Sequence, residues 1–204
     1  KQWDAEKRPP LMTLPTSDYE RGWRCLKGLG VPEGAWFVCL QVREPGFKDG
    51  DSTYDSYRNA DIDTYLLAIK TIVAHGGWVI RMGDPSMKPL PAMSHVIDYV
   101  HSGVRSEWMD VFLCAQCRFF IGTSSGLYVI AIAFGAPLVL TNYLPWNALW
   151  HSSKDLVLPK LFWSIREQRH LNFAEILSSP LSAGVNQSSY DRLGVEILEN
   201  APEE

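Results

Sequence analysis

The chain has 204 residues, of which 46% are hydrophobic and 21% charged, and its formal net charge is −4. This composition is typical of a globular protein with a sizeable core. The acidic balance and the lack of a basic run argue against nucleic acid or an acidic membrane surface as the main partner, so any recognition of phosphate must be local.

The two ends and the apolar stretches of the sequence give further expectations. Residues 127–140 form the longest apolar stretch, but Gly135 and Pro137 interrupt it, which leaves it too short for a bilayer. No secretion signal opens the chain, so we expect no transmembrane segment and a cytoplasmic protein. The chain starts at Lys1 and ends "ENAPEE", which is typical of the beginning of a helix, so we expect a fragment that is truncated at both ends.

Helical spacing of apolar residues, glycine stops and short apolar runs predict the secondary structure. The predicted elements, in chain order, are helix 17–29 with Ser17 or Asp18 as its cap, strand 35–43, a long polar loop 44–61, helix 61–77, strand 78–83, strand 95–100, helix 106–116, strand 118–123, helix 125–135 and strand 137–142. The tail contains weaker patterns for a strand within 155–163, a helix within 172–179 and a strand over 195–199.

Strands that alternate with helices and are apolar on both faces predict a parallel sheet covered on both sides. The expected fold is therefore α/β, a three-layer Rossmann-like domain with a mostly parallel sheet. Ligands bind such sheets at the carboxyl ends of the strands, beside helix N-termini. Three predicted strand ends carry polar groups: Arg43, Arg81 and the turn "GTSSG" over residues 122–126.

The turn consists of Gly122, Thr123, Ser124, Ser125 and Gly126, between a strand and a helix. Backbone N–H groups at a helix N-terminus and three hydroxyls favour binding of an anion, and the glycines let a ligand approach the backbone. The alternative is that Ser124 or Ser125 only caps the helix. The turn is not a Walker loop or a dinucleotide turn, and no His or acid is clearly placed to complete a serine hydrolase triad, which makes a hydrolase the less favoured interpretation.

Two arginines would strengthen anion binding at the turn if neighbouring strands bring them together. Arg43 and Arg81 would then clamp a diphosphate, although an arginine at a strand end more often forms a surface ion pair. Asp110, on the helix before the fourth strand, would pair with one of them or face solvent.

Other polar residues have a similar double interpretation. Arg58 and Asn59 either cap the helix at residue 61 or close over the ligand, and Asn142 either bounds a slot for a base or sugar or takes part in an ordinary turn. The pair Cys114 and Cys117 is interpreted as small buried residues, in preference to a zinc or redox motif. The histidines are scattered and "DIDTY" lies at a helix start, so no metal site is predicted and no cofactor is expected.

Several blocks of the sequence together resemble a family of bacterial glycosyltransferases. They are "SYRNADIDTYLLAIKTIVAHGGWVIRMGD", "IDYVHSGVRSEWMDVFLCAQCRFFIGTSSGL", "FGAPLVLTN" and "ILENAPEE", and the similarity covers most of residues 35–204. That family is similar to the GT-B glycosyltransferases, including the heptosyltransferase and fucosyltransferase branches. The resemblance implies the C-terminal half of a GT-B enzyme, with residues 1–34 as a linker or helix from a preceding acceptor domain and residues 35–204 as the donor-binding domain.

The resemblance also implies roles for particular residues. Arg43 corresponds to the arginine that neutralises the diphosphate, and residues 123–126 correspond to the donor turn. Fucosyltransferase-like relatives have a His two places before that arginine, where this chain has Gln41, so fucose specificity does not transfer.

The implied activity is metal-independent glycosyl transfer from a nucleotide-diphosphate sugar to an unknown acceptor, with the missing N-terminal domain as a partner. The sequence offers only Asp84 and Glu44 as distant candidates for a general base. Two alternatives remain open: a non-catalytic nucleotide-sugar-binding domain, and an epimerase or hydrolase acting on nucleotide sugars.

Overall fold

The main sheet has six parallel strands. The structure is a computed structural model that describes residues 6, 8–45, 53–145, 152–184 and 186–204. The strands are β1 (Phe37–Gln41), β2 (Trp78–Arg81), β3 (Val96–Ile97), β4 (Phe120–Gly122), β5 (Leu138–Tyr143) and β6 (Leu156–Pro159), in the order β3-β2-β1-β4-β5-β6. Every neighbouring pair is parallel, which confirms the predicted sheet. The strand predicted over residues 95–100 is only two residues long, because a 3₁₀ turn follows at Tyr99–His101.

Six α-helices accompany the strands in the described residues. They are α1 (Thr16–Gly28), α2 (Leu66–Ala74), α3 (Glu107–Gln116), α4 (Gly126–Ala133), α5 (Phe173–Leu177) and α6 (Gln187–Arg192), and further 3₁₀ turns lie at Thr53–Arg58, Ile62–Tyr65 and Pro180–Ala183. The predicted caps of the first helix were wrong, since α1 begins after Pro15 with no side-chain cap. The helix predicted from residue 61 starts as a 3₁₀ turn, in which the backbone N–H of Asp63 donates to the side chain of Asp61.

The sheet is covered on both faces, as the sequence predicted. Alternate side chains of a strand point to opposite faces. Val38 and Leu40 of β1 pack in a cluster with Ile69 of α2. Phe37 and Cys39 belong to a second cluster on the other face, which is built with α1, α3 and α4. This gives three layers and a Rossmann-like α/β domain.

A small antiparallel sheet follows the main sheet. Its strands β7 (Leu161–Ser164), β8 (Arg169–His170) and β9 (Val195–Leu198) are arranged in the order β8-β7-β9. The sequence suggested one strand within residues 155–163, whereas β6 and β7 belong to different sheets and are separated by Lys160. A third hydrophobic cluster, which includes Phe162, Tyr190 and Val195, packs this sheet against Tyr57 and α6.

The polar loop, the membrane segment and the cysteines were also subjects of the sequence analysis. Residues 46–52 of the predicted polar loop lie outside the described residues. Within the described ranges, none of the helices combines the length and apolar character needed to cross a membrane. All four cysteines lie in the described ranges and are free thiols, and Cys39, Cys114 and Cys117 are buried.

Candidate functional site

The strand order places a topological switch point between β1 and β4. From β1 the chain proceeds to β2 and β3 on one side of the sheet, and then returns to β4 on the other. In open parallel sheets the crevice outside the carboxyl ends of two such strands is the usual place for a ligand. Here those ends are Gln41 and Gly122, which lie opposite one another in the parallel ladder.

Gly122 allows the two strand ends to meet closely. Its φ of 147° lies in the region that favours glycine, and a Cβ atom there would lie 1.8 Å from the carbonyl oxygen of Gln41. The Gln41 carbonyl oxygen is a backbone atom, so it cannot move aside by a change of rotamer. The glycine of the predicted turn is therefore required by packing as well as by conformation.

Thr123 joins the turn to the segment that leaves β1. Its backbone N–H donates to the carbonyl oxygen of Gln41 over 3.0 Å, and its hydroxyl accepts a hydrogen bond of 2.8 Å from the backbone N–H of Arg43. Thr123 is fully buried. Its side chain thus fixes the position of the Arg43 backbone.

Ser124 is held by Arg58, which lies on the loop after β1. The Nε of Arg58 donates to the Ser124 hydroxyl over 3.1 Å, and its Nη2 donates to the Ser124 carbonyl over 2.8 Å. The hydroxyl itself donates to the carbonyl oxygen of Leu144. Arg58 therefore lies over the turn, and part of its hydrogen-bonding capacity is used by the protein.

Ser125 is the N-cap residue of α4, but its side chain makes no capping hydrogen bond. Its hydroxyl oxygen is buried and has no hydrogen-bond partner among the described residues. The alternative that this serine serves only as a cap therefore does not fit the geometry. The side chain instead offers a free hydroxyl beside the positive end of the α4 dipole.

A cavity of about 550 Å³ lies in front of this turn. It is lined from each of the four loops that follow β1 to β4, by Asp55 and Arg58 after β1, Gly83, Asp84 and Met87 after β2, Arg105 after β3, and Ser125 and Gly126 after β4. Gln41, Arg43, Asp110, Leu127 and Ile130 complete the wall. The cavity thus combines three arginines, three carboxylates and an apolar side.

Arg43 lies on the cavity, and a carboxylate from the following loop contacts it. Its Nη2 is 3.5 Å from Asp55 Oδ2, and the other oxygen of Asp55 is 4.0 Å from Arg58 Nη1. Asp55 therefore lies between two guanidinium groups on the wall of the cavity. The distances are long for charge-assisted hydrogen bonds, so the carboxylate is loosely held.

The structure does not bring Arg81 to the cavity, which corrects the predicted pair of clamping arginines. Its guanidinium is fully buried, with Nη2 2.6 Å from Glu44 Oε2 and Nη1 3.2 Å from Asp98 Oδ1. Two carboxylates from neighbouring loops neutralise it within the protein. Arg58 and Arg105, on the loops after β1 and β3, line the cavity instead.

Asn59 and Asn142 also lie away from this cavity. Asn142 is buried, and it exchanges hydrogen bonds with Asn200, 2.6 Å from its N–H and 2.7 Å to its Oδ1. The carbonyl oxygen of Asn59 accepts a hydrogen bond of 2.5 Å from Lys160 Nζ, beside a second cavity of about 420 Å³ that borders the antiparallel sheet. Both asparagines therefore connect the C-terminal part of the chain to the main sheet.

Asp110 lies on the cavity wall in the first turn of α3, where it is buried and pairs with Arg105, whereas the sequence predicted a pair with Arg43 or Arg81 or exposure to solvent. Its Oδ2 is 3.5 Å from Arg105 Nη2, and Oδ1 is buried with no hydrogen-bond partner among the described residues. Burial raises the pKa of this carboxyl above its usual range, although Arg105 acts in the opposite direction. The protein therefore holds a carboxylate in a place that disfavours its charge.

The two candidate bases have other surroundings. Glu44 contacts Arg81 and its pKa is raised by burial. The pKa of Asp84 is lowered, mainly because the backbone N–H of Ser86 donates to the carboxylate. No group of three or more His, Cys, Asp or Glu side chains suited to a metal ion occurs among the described residues.

Sequence reasoning missed Arg105, Asp55 and the apolar wall. Arg105 lies in a strand-to-helix loop directly before Ser106, the N-cap residue of α3. Every such loop opens at the carboxyl edge of a parallel sheet, which was the available signal. Asp55 follows β1 in the same way, but the sequence alone did not indicate which polar residues of the long loop return to the strand end.

Comparisons with known proteins give similarity in fold but not in sequence. No known family model matches the chain. No curated protein matches it either. A solved glycosyl transferase family 9 protein from Veillonella parvula has a TM-score of 0.54 at 11% identity, over 72% of this chain and 42% of that one.

Two further solved structures have TM-scores below 0.5, which do not establish a common fold. ADP-heptose lps heptosyltransferase II of E. coli has 0.48 at 14% identity, over 74% of this chain and 45% of that one. KpsC, a β-Kdo 2,4 transferase of Thermosulfurimonas dismutans, has 0.42 at 14% identity, over 84% and 56%. The chain thus spans between two fifths and three fifths of the length of these three structures.

Proposed function

We propose that this chain is the donor-binding half of a GT-B glycosyltransferase and that its cavity holds the diphosphate of a nucleotide sugar. One observation carries the proposal. At the switch point, the N-terminus of α4, the unpartnered hydroxyl of Ser125 and the side chains of Arg43, Arg58 and Arg105 all border the same cavity. The similarity in fold to a family 9 glycosyl transferase supports the proposal, and so does the sequence resemblance over residues 35–204.

The carboxylates on the wall are compatible with an anionic ligand. Asp55 lies between Arg43 and Arg58 at distances of 3.5 and 4.0 Å. In the proposed complex the diphosphate replaces this carboxylate as the partner of the two arginines, because phosphate oxygens form shorter bidentate contacts with guanidinium groups. Arg105 remains beside Asp110 and adds positive charge at the other side of the cavity.

The proposed chemistry is transfer of a sugar with a nucleoside diphosphate as leaving group. When the bond between the anomeric carbon and the phosphate oxygen breaks, negative charge grows on the β-phosphate. Arginines and amides that are already directed to that position stabilise the transition state more than the ground state. We propose that these groups supply the positive charge needed for transfer without a divalent ion.

We propose that the general base belongs to the acceptor-binding half of such an enzyme. Glu44 is engaged by Arg81, and the lowered pKa of Asp84 makes it a weak base. An acceptor hydroxyl would enter from the open side of the donor site, so a base from the other half of the cleft would be well placed. The two alternatives, a non-catalytic binder and an epimerase or hydrolase, share the same diphosphate site.

Titration calorimetry with ADP, GDP and UDP and with the corresponding monophosphates tests the binding proposal. We expect one nucleoside diphosphate to bind at least tenfold more tightly than its monophosphate, because the second phosphate engages the arginines. Equal affinities, or no binding of any diphosphate to the full-length protein, would contradict the proposal.

A transfer assay on the full-length protein with a labelled nucleotide sugar separates the catalytic alternatives. Label that appears in an acceptor supports glycosyl transfer. Release of free sugar without an acceptor indicates a hydrolase, and conversion of the sugar indicates an epimerase. Tight binding with no turnover indicates a non-catalytic domain.

A further inference from the structure

Two hydrogen-bond acceptors on the cavity wall have no partner. They are Oε1 of Gln41 and Oδ1 of Asp110, and both atoms are buried and lack a hydrogen-bond partner among the described residues. Gln41 is 4% exposed and Asp110 7% exposed, yet both line the cavity. Buried polar groups are normally paired, so two unfilled acceptors on one cavity indicate that a ligand supplies the donors.

The position of Gln41 is fixed by its backbone. It is the last residue of β1, and its carbonyl oxygen accepts a hydrogen bond from the Thr123 N–H. The same carbonyl oxygen lies close to Gly122, where a Cβ atom would not fit. The side chain therefore projects from a rigid strand end at the switch point. Asp110 is similarly fixed in the first turn of α3, where the hydroxyl of the N-cap residue Ser106 accepts a hydrogen bond from the N–H of Met109.

The phosphates of a nucleotide cannot satisfy these two atoms. An ionised phosphate offers only acceptor oxygens, and so does an ionised carboxylate. The part of the ligand that contacts Gln41 Oε1 and Asp110 Oδ1 must instead donate hydrogen bonds. The cavity therefore offers two kinds of group: donors for the diphosphate, from Arg43, Arg58 and α4, and acceptors, from Gln41 and Asp110, for a part of the ligand that donates.

We propose that Gln41 and Asp110 recognise hydroxyl groups of the ligand, those of the ribose or those of the transferred sugar. A nucleobase also has N–H donors, but its flat faces favour apolar contacts, which the cavity offers at Met87, Leu127 and Ile130. Neighbouring hydroxyls match two fixed acceptors on adjacent elements. This inference rests on the proposed function, because it assigns the second end of the same ligand.

Calorimetry on Gln41→Leu tests the inference with matched ligands. The probes are inorganic pyrophosphate, the best-binding diphosphate among ADP, GDP and UDP, its 2′-deoxy and 3′-deoxy forms, and commercially available nucleotide sugars with that base. Pyrophosphate should bind the variant as it binds the wild type, within about twofold, because the arginine end is unchanged. The nucleotide ligand that carries the recognised hydroxyls should bind the variant at least fivefold more weakly.

The arms of the experiment distinguish the two sources of the hydroxyls. If they belong to ribose, the deoxy form binds wild type more weakly, and Gln41→Leu abolishes that difference. If they belong to the transferred sugar, a nucleotide sugar binds wild type more tightly than the free diphosphate, and the variant abolishes that gain. Asp110→Leu should also abolish that difference or gain, although its affinity for pyrophosphate should rise, because Arg105 loses its carboxylate partner.

The variant should remain folded, since leucine removes an unpaired buried acceptor and keeps a similar volume, and its urea midpoint should equal or exceed that of wild type. A folded Gln41→Leu that binds every nucleotide probe as wild type does overturns the inference but leaves the diphosphate site intact. A variant that loses pyrophosphate and nucleotides equally also overturns it. If neither pyrophosphate nor any nucleotide binds wild type, the proposed function fails and this inference fails with it.

Discussion

Arg43 and Arg81 lie at the carboxyl ends of neighbouring strands and yet have opposite surroundings. Arg81 ends β2 and is fully buried between Glu44 and Asp98, at 2.6 and 3.2 Å. The side chain of Arg43 is 18% exposed, lies on a cavity and is 3.5 Å from Asp55. A cation at the end of a parallel strand is therefore not in itself a sign of a ligand, since neighbouring carboxylates can fully neutralise it.

The largest effect on stability is expected from substitution of the buried arginine, Arg81. Arg81→Met should lower the free energy of unfolding by about 3–5 kcal/mol, because it leaves Glu44 and Asp98 without their counter-charge. Arg43→Met should lower it by less than about 1 kcal/mol, as expected for a partly exposed pair. Urea unfolding of both variants measures the difference, and equal losses would show that the two arginines have the same structural role.

The reverse comparison concerns ligand affinity. Arg43→Ala should weaken binding of the preferred nucleoside diphosphate by about 2 kcal/mol, or roughly 30-fold, the scale of losing one partner of a charged hydrogen bond. Calorimetry at constant ionic strength gives the value. Arg166→Ala, an exposed residue in the turn between β7 and β8, is the matched control for net charge and should bind as wild type does. A similar loss in both variants would assign the effect to net charge alone.

A smaller effect is expected for the stability contributed by Asp110. Burial raises its pKa in the folded state, so the native protein binds more protons than the unfolded chain above the usual Asp range, and stability falls as pH rises through this window. Asp110→Asn should therefore be more stable than wild type by roughly 1 kcal/mol at pH 8. The difference should shrink as the pH falls towards the usual Asp pKa. Urea unfolding from pH 3.5 to pH 8 measures it, and a variant that is less stable at pH 8 would contradict the assignment.

The smallest expected effect is on diphosphate affinity and comes from the carboxylate beside Arg43. Asp55→Asn removes the carboxylate between Arg43 and Arg58 and should strengthen diphosphate binding by about 0.5 kcal/mol, the scale of a partly exposed ion pair. Calorimetry beside wild type resolves a change of this size. Weaker binding in Asp55→Asn would mean that the carboxylate positions the arginines and does not compete with the ligand.

Local patterns were sufficient to predict five of the six strands of the main sheet and the turn, of which Ser125 and Gly126 line the cavity. Apolar runs with glycine stops marked the strands, and Gly122 to Gly126 marked a strand-to-helix turn, because both signals lie within a few neighbouring residues. The antiparallel sheet was not predicted, since β7 pairs with β9 at the far end of the chain and both strands are four residues long. Strands this short have too little periodicity to reveal their partners.

The contacts of the charged side chains could not be predicted from the sequence either. Glu44 and Asp98 are 37 and 17 residues from Arg81 along the chain, and only the folded sheet brings all three together. The contact of Arg58 with Ser124 spans 66 residues, and the sequence offered only a helix cap or a loop that closes over a ligand as roles for Arg58. Which arginine is available to a ligand thus depends on contacts that have no local pattern.

The hydrogen bond from the Arg43 backbone to Thr123 has a thermodynamic consequence for any ligand of this cavity. The turn and the start of the loop after β1 are already joined before binding, so their backbone conformational entropy was lost during folding. Association then has to order only the ends of the long side chains. The site is preorganised at its backbone, and the remaining entropic penalty of binding is confined to its guanidinium groups.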